Sequence, residues 1–388
     1  MQKRSILFSV LGLIGLLFSQ DLSAQGIVTN SLDTLTDVQK YYRAIHVLAM
    51  LVLGFGFLMV FVRKYGRSAL TATFLMVSVG IPLYILIKDL GIFGQSVAEI
   101  DTLILAEFAA ASLLITSGAI LGRIKMYQYI ILGILFIPVY MLNEWIMLDN
   151  GLHIISKGGF VDTGGSIVIH AFGAIFGIAA SISLTTKKEI SIPIDTDFTS
   201  DRFSLLGSML LWVFWPSFCA ALVPPELVVH TGINVILALS GATITTYIAT
   251  MLFRGKIETA DIANASLAGG VAIGAVADTA SFGSAIIIGL LAGLLSVFGF
   301  AVIQNKLQKG LNLIDTCGVS NLHGLPGIFG GLAALFIVPN IDASIQIEGI
   351  GITIIIALVA GWITGAVVRM FGKHQKPYED SEEFSIES

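Results

Sequence analysis

The sequence predicts an all-α polytopic membrane protein, in which eleven transmembrane helices form two inverted five-helix repeats and a final helix. Only 12% of the 388 residues are charged, about half the usual share in soluble proteins, and 55% are hydrophobic. Eleven apolar runs approach the roughly 20 residues that cross a bilayer, and two stretches of the chain repeat. This composition excludes a soluble domain, and the net charge of −5 argues against nucleic acid as a partner.

The amino-terminal segment resembles a secretory signal. Two basic residues precede an apolar run that is too short to span a bilayer, and a polar turn and Ala24 follow, with Leu22 larger than is usual before a cleavage site. We therefore expect a cleaved signal peptide over 1–24 and an extracytoplasmic segment over 25–40. An uncleaved amino-terminal helix is the alternative, and in either case the first full span starts outside.

The membrane domain is expected over 41–370, with repeats at about 41–184 and 205–338 and a last helix at about 346–368. The expected spans are 41–62, 68–89, 103–122, 127–148, 165–184, 205–223, 229–253, 263–278, 282–303, 321–338 and 346–368. Alternate loops hold fifteen Lys and Arg on one face and four on the other, with the signal set aside. Because these residues accumulate in cytoplasmic loops, we expect a cell-membrane protein with its amino end outside. The cytoplasmic tail, 371–388, is polar and acidic, and we expect it to be solvated.

Two motifs recur at an offset of about 153 residues. Asp162–Gly177 and Asp315–Gly330 share seven of sixteen residues, and a weaker echo relates 106–113 to 260–267. The offset covers five helices, an odd number, so the two copies enter the membrane from opposite faces. Inverted repeats are typical of transporters, whose substrate path lies at the repeat interface near the bilayer midplane.

Each motif places a histidine eight residues after an aspartate. Eight helical residues rise about 12 Å, so His170 and His323, approaching from opposite surfaces of a core about 30 Å thick, meet near its centre. Neutral imidazoles there offer hydrogen bonds to a small uncharged solute. A histidine that only bonds to a neighbouring helix is the alternative for either residue alone. Asp162 and Asp315 are expected to cap their helices, and Asp162 also to add negative potential on the outer side.

Further candidate residues are expected near the outer mouth. On the expected topology, Glu107 and Glu144 lie about one helical turn below the outer surface. With Asp162 they form an outer carboxylate cluster that concentrates cations. Solvated side chains at helix ends are the alternative. Phe108 and Phe218 lie at a similar depth, where aromatic rings can close the path and face a cation, with ordinary core packing as the alternative.

Four strings resemble the Rhesus branch of the ammonium transporter superfamily, over about 41–370. They are DTGGSIVIHAFG from Asp162, WPSF from Trp215, LAGGV from Leu267 and DTCGVSNLHGLPG from Asp315. The resemblance implies a homotrimer in which each subunit has its own narrow hydrophobic pore. It also implies twin pore histidines, a phenylalanine gate and a helix-start aspartate, which fall on His170 and His323, on Phe108 and Phe218, and on Asp162. Glu144 matches an outer glutamate of this branch, whereas Cys219 stands where these sequences usually carry Asn.

The expected function is that of an ammonium/ammonia channel. Ammonium collects at the outer carboxylates, loses its proton near the gate and crosses as ammonia, because a bare charge at the membrane centre costs several kilocalories per mole. Methylammonium and carbon dioxide are further candidate solutes, and a channel for carbon dioxide or another neutral gas is the alternative within transport. An ammonium sensor is the alternative from another class. We expect membrane lipid around the protein and no enzymatic activity, cofactor or metal, since the two histidines lack an obvious third ligand.

Overall fold

Helices make up all the regular structure in the computed structural model, which describes residues 31–95, 97–156 and 158–385. Ten of the described helices are long and apolar enough to cross a membrane, and an eleventh, of 22 residues, matches the expected sixth span. In chain order they are α1 (Asp33–Phe61), α2 (Gly66–Asp89), α3 (Glu99–Ile120), α4 (Met126–Leu148), α5 (Ser166–Leu184), α6 (Phe198–Cys219), α7 (Pro225–Arg254), α8 (Thr259–Val276), α9 (Phe282–Leu311), α10 (Ser320–Ile337) and α11 (Ala343–Met370). The expected signal peptide, 1–24, lies outside the described residues. The chain divides into a short unit, Met1–Val38, and a large unit, Gln39–Ser388, which contains the site.

Some helices extend beyond the apolar runs that predict them. The sixth begins at Phe198 rather than near 205, because the carboxylate of Asp197 accepts hydrogen bonds from Thr199 N at 3.0 Å and Ser200 N at 2.9 Å. The ninth continues to Leu311 through a polar last part. Hydropathy therefore marks the apolar part of these helices, whereas a polar cap decides where α6 begins.

The start of α5 and the start of α10 are each bonded to the end of a helix from the other repeat. Before α5, Gly164 N donates to Gly274 O in α8 at 2.7 Å. Before α10, Cys317 N donates to Gly118 O in α3 at 3.0 Å. The helices α3 and α8 are the ones that carry the weaker sequence echo. These matched contacts agree with the prediction of two related repeats.

Glycines allow several helices to pack backbone against backbone. A Cβ atom on Gly269 of α8 or Gly289 of α9 would lie 2.1 or 2.0 Å from Ala238 O of α7. A Cβ atom on Gly361 of α11 would lie 2.4 Å from Phe176 O of α5. Small residues at such crossings are typical of membrane helices, which lack a hydrophobic driving force between them. These contacts fix α5 and α8, which contribute to the site.

The segment after α11 is docked on the protein. The carboxylate of Asp380 accepts hydrogen bonds from Ser68 N at 2.9 Å and Ser68 Oγ at 2.6 Å, at the start of α2. The carboxylate of Glu383 accepts a bond from Met126 N at 2.9 Å, at the start of α4. Tyr378 is buried. Acidic residues of the tail therefore cap two helices, so Asp380 and Glu383 are bonded to the protein, although most of the described tail is at least partly exposed as expected.

Candidate functional site

His170 and His323 meet inside the large unit. Their Nδ1 atoms are 3.2 Å apart, and their rings are nearly parallel, with centroids 5.2 Å apart and 10° between the planes. Both side chains are buried. The prediction that the two histidines meet is confirmed. Because a hydrogen bond between two Nδ1 atoms needs one donor and one acceptor, two neutral rings must have opposite tautomers here.

Both histidines lie in π-helical turns at the starts of their helices. These turns are Ser166–Ala171 in α5 and Ser320–Gly324 in α10. A third π-helical segment, Met50–Phe55 in α1, ends at the phenylalanine whose ring stacks on His323 at 6.2 Å. Such turns are rare and often mark functional sites, because they change the direction of the side chains that follow. No pattern in the sequence indicates these turns, and none indicates that Phe55 contacts a histidine.

Asp162 and Asp315 stabilise the starts of the two histidine helices. Two successive N–H groups donate to the Asp162 carboxylate, and the shorter bond, from Val168 N, is 2.8 Å long. The Asp315 carboxylate accepts bonds from Ser320 N at 2.9 Å and Ser320 Oγ at 2.7 Å. The predicted capping role of both aspartates is therefore confirmed.

The two capping carboxyl groups are also perturbed by their burial. Burial raises the pKa of Asp162 to about 7, against the lowering effect of the backbone N–H bonds that it accepts. Burial also raises the pKa of Asp315, which the bonds from Ser320 oppose. A carboxyl group with a pKa of about 7 changes its charge near neutral pH. Asp162 can therefore change the electrostatic potential at the start of α5 under physiological conditions.

Phe108 and Phe218 form a closed aromatic contact next to the histidines. Their ring centroids are 4.6 Å apart at an angle of 47°, and both side chains are buried. The ring of Phe218 is 5.9 Å from His170, and Trp215 stacks on the same histidine at 5.5 Å and 22°. The two predicted phenylalanines are thus brought together with the histidines. Trp215 belongs to the WPSF motif, but nothing in that motif indicates that its ring stacks on His170.

Two cavities follow on the side of the histidines away from the phenylalanines. The first has a volume of about 20 Å³, enough for one water-sized molecule. Its lining includes His323, Phe55, Leu114, Ile115 and Gly118. The second cavity is wider, with a volume of about 320 Å³, and its wall includes Asp201 and Glu258. The two cavities share three lining residues, Phe61, Asn264 and Cys317. The phenylalanine pair, the two histidines, the small cavity and the wider polar cavity therefore follow one another through shared neighbours.

The three carboxylates of the expected outer cluster are buried and have different partners. Glu144 Oε2 accepts a hydrogen bond of 2.5 Å from the hydroxyl group of Tyr84. Asp162 bonds to its own helix, and Glu107, only 1% exposed, has no partner at Oε2 among the described residues. Within the described chain, no hydrogen bond or ion pair joins any two of the three. The alternative that these residues are solvated side chains at helix ends is wrong, because all three are buried. Their joint role as a cluster stays a prediction.

Cys219 lies beside the turn that leads into α5. Its side chain is buried and its thiol is free. A Cβ atom on Gly164 would lie 3.0 Å from Cys219 Sγ. The thiol therefore packs against the turn after Asp162, where an Asn side chain would bring an amide instead.

Comparisons with known proteins cover almost the whole chain. Residues 7–383 match the family model described as Ammonium Transporter Family. The ammonium transporter Rh type A of Bos taurus is 38% identical over 371 residues, which cover 90% of this chain and 84% of that protein. The structure of Rh50 from Nitrosomonas europaea has a TM-score of 0.88 at 52% identity, covering 90% of this chain and 93% of the other. A mutant of Mep2 from Candida albicans, with a TM-score of 0.73, 17% identity and coverage of 91% and 87%, shows the shared fold alone.

Proposed function

Because the chain belongs to the ammonium transporter family, in its Rhesus branch, we propose that it takes up ammonium at the phenylalanine pair and conducts ammonia past the histidines. One observation carries the proposal. His170 and His323 contact each other directly between a closed aromatic pair and a cavity of about 20 Å³. Such a passage suits a solute no larger than water that forms hydrogen bonds.

Desolvation at the phenylalanine pair favours the neutral molecule. The rings of Phe108 and Phe218 leave no room for a hydration shell, so an ammonium ion that passed them intact would lose its water. A bare charge in the membrane interior costs several kilocalories per mole. Ammonia loses only hydrogen bonds, which imidazole nitrogens can replace. The proton is therefore removed before the solute reaches His170.

The tautomers of the histidine pair suit ammonia. The ring that donates at Nδ1 is left with an acceptor at Nε2, and the ring that accepts at Nδ1 carries a hydrogen on Nε2. The pair thus offers one acceptor and one donor. His170 Nε2 has no hydrogen-bond partner among the described residues, so it is available to a solute. Ammonia both donates and accepts hydrogen bonds and can use each position.

The proposal also includes an assembly and an orientation. We place the phenylalanine pair toward the outside and the wider polar cavity toward the cytoplasm, on the basis of the fifteen-to-four distribution of Lys and Arg. A homotrimer with one path in each subunit is supported by the family resemblance. Labelling of single cysteines in sealed cells tests the orientation, and the mass of the purified protein in detergent tests the trimer.

Flux through purified protein in liposomes tests the central claim. We expect ammonium gradients to drive saturable flux above that of empty liposomes, with competition by methylammonium. His170→Ala and His323→Ala should each change the flux, its pH dependence or its selectivity. Simultaneous recording of current separates neutral from charge-carrying transport. If both variants left flux, pH dependence and selectivity unchanged, the role of the histidine pair would be refuted.

A further inference from the structure

We propose that Glu107 is the group that takes the proton from ammonium at the phenylalanine pair. This inference rests on the proposed function and names the acceptor which that function requires. The carboxylate forms an O–H bond while an N–H bond of ammonium breaks and leaves its electron pair on nitrogen. Ammonia moves on to His170, and the neutral carboxyl group later releases its proton to water on the entry side.

The three carboxylates near the entry differ in what they are free to bind. The oxygens of Asp162 accept backbone N–H bonds of 2.8 to 3.1 Å at the start of α5. Glu144 is bonded to Tyr84 at 2.5 Å. Glu107 Oε2 is buried without a hydrogen-bond partner among the described residues. A buried carboxylate without a partner gains the most from a cation or a proton, so Glu107 is the one able to accept either.

The register of α3 directs Glu107 toward the path. At 100° per residue, Leu114 and Gly118 lie within about 20° of Glu107 around the helix axis. Both line the cavity beyond the histidines. Phe108, the neighbour of Glu107 in sequence, contacts Phe218 at the same depth. The carboxylate therefore lies level with the aromatic contact, on the stripe of α3 that faces the path.

Many charged and titratable groups on the helices packed against α3 are bonded to partners other than Glu107, whereas the buried hydroxyl group of Tyr140 in α4 has no hydrogen-bond partner among the described residues. The helices concerned are α1, α2, α4 and α5. The groups that are bonded pair as follows: Lys40 with Asp101 at 2.6 Å, Arg43 with Ala221 O at 3.3 Å, His46 with Ser217 at 2.8 Å, Lys88 with Phe93 O at 3.1 Å, Tyr84 with Glu144, Asp162 with Val168 N, and His170 with His323. None of these bonds reaches Glu107. Glu107 therefore has no cationic partner among the described residues, and ammonium can be that partner.

The test compares Glu107→Gln with wild type in liposomes at two pH values, with flux through empty liposomes subtracted. At about pH 6 nearly all the solute is ammonium and must be deprotonated, so we expect Glu107→Gln to lose about a hundredfold in rate. At about pH 9 free ammonia is plentiful, and the same preparation should keep its rate within about twofold. The retained rate at high pH also shows that the variant is folded.

Two further variants complete the test. Glu107→Asp keeps a carboxylate and should restore much of the rate at low pH. Glu99→Gln is the matched control, because Glu99 is exposed in the first turn of the same helix, and it should match wild type at both pH values. An equal loss at both pH values in Glu107→Gln, or no loss at either, would overturn the role of Glu107. Wild-type flux no greater than that of empty liposomes would instead overturn the proposed function itself.

Discussion

The two histidines come from related sequences, but their surroundings differ. His170 stacks on Trp215 and lies 5.9 Å from Phe218, next to the closed aromatic pair. His323 stacks only on Phe55 among the described phenylalanine and tryptophan rings, and it borders the cavity of about 20 Å³. The repeat therefore gives both helices the same aspartate, the same spacing and the same π-helical start. Non-repeated residues from α1, α3 and α6 make one side closed and the other open.

This difference assigns separate tasks to the two sides. The closed aromatic side can strip water from the solute, which makes it the side where ammonium and ammonia are distinguished. The open side offers room for one small molecule and then a polar cavity of about 320 Å³, where a released molecule regains water. A repeat in the sequence thus supplies a symmetric frame, and selectivity arises where the symmetry is broken.

At Gly327 the second repeat cannot carry the residue that the first repeat has at the equivalent position. Changing Gly327 should have the largest effect on stability. A Cβ atom there would lie 2.5 Å from Ser166 O, whereas the repeat places Ala174 at the equivalent position of α5. We expect Gly327→Ala to force α10 away from α5 and to destabilise the protein by about 3 kcal/mol. The matched variant Ala174→Gly should cost about 0.5–1 kcal/mol. Thermal unfolding in detergent measures both, and equal losses would contradict the tight contact.

Removal of one ring from each side should show which side is selective. Phe218→Ala breaks the 4.6 Å contact with Phe108, and an aromatic pair contributes about 0.5–1.5 kcal/mol. We expect the flux of methylammonium relative to ammonium to rise about two- to tenfold. Phe55→Ala leaves the aromatic pair intact and should leave that ratio unchanged. A larger change in Phe55→Ala than in Phe218→Ala would place the selective step on the other side of the histidines.

The pH dependence of stability should separate the two capping aspartates. The folded protein binds the Asp162 proton more tightly than the unfolded chain, since burial raises its pKa to about 7. The free energy of unfolding therefore falls as the pH rises from about 4 to about 7 and Asp162 ionises in the folded protein. We expect Asp162→Asn, which cannot ionise, to flatten the fall in melting temperature over this range. Asp315→Asn should flatten it less, because Asp315 has, besides backbone bonds, the hydroxyl group of Ser320 and the charge of Arg123 to favour its ionised form, and the reverse order would contradict this account.

The smallest expected effect concerns a hydroxyl group that only one of the repeats contains. Ser320 Oγ donates to Asp315 at 2.7 Å, whereas the equivalent residue of the first repeat is Ile167. We expect Ser320→Ala to lower stability by about 1 kcal/mol. Ser191→Ala, which removes an exposed hydroxyl group that bonds to Lys188 O, is the control and should have no measurable effect. Equal melting temperatures of Ser320→Ala and wild type would show that the bond does not contribute.

Much of the site could be predicted because it depends on distances along one helix. The contact between His170 and His323 follows from eight residues of helical rise and a bilayer of known thickness. The capping by Asp162 and Asp315 follows from a polar residue just before an apolar run. The pairing of Phe108 with Phe218 was an expectation from the resemblance, and the structure places the rings together. In each case a local pattern or a known family motif supplied the information.

Other features depend on which side chains, distant in sequence, lie at the same depth in the protein and point toward each other. Tyr84 bonds to Glu144 and Phe55 stacks on His323, although these partners are 60 or more residues apart in the chain. The tail was expected to be solvated, but Asp380 instead caps α2, because the start of that helix lies within its reach. Neither the charge nor the hydropathy of a segment shows which helix end is available to it. Only packing supplies that information.

The sequence by itself determined the helices, the repeat, the meeting of the two histidines and the capping aspartates, because apolar length and helical rise are properties of short segments. The tertiary structure alone decided which side of the histidines is closed, and which carboxylate, Glu107, is left without a partner. Both depend on the rotation of each helix about its axis and on π-helical turns that shift it. Rotation is set by contacts between helices that are distant in sequence, so no single segment encodes it.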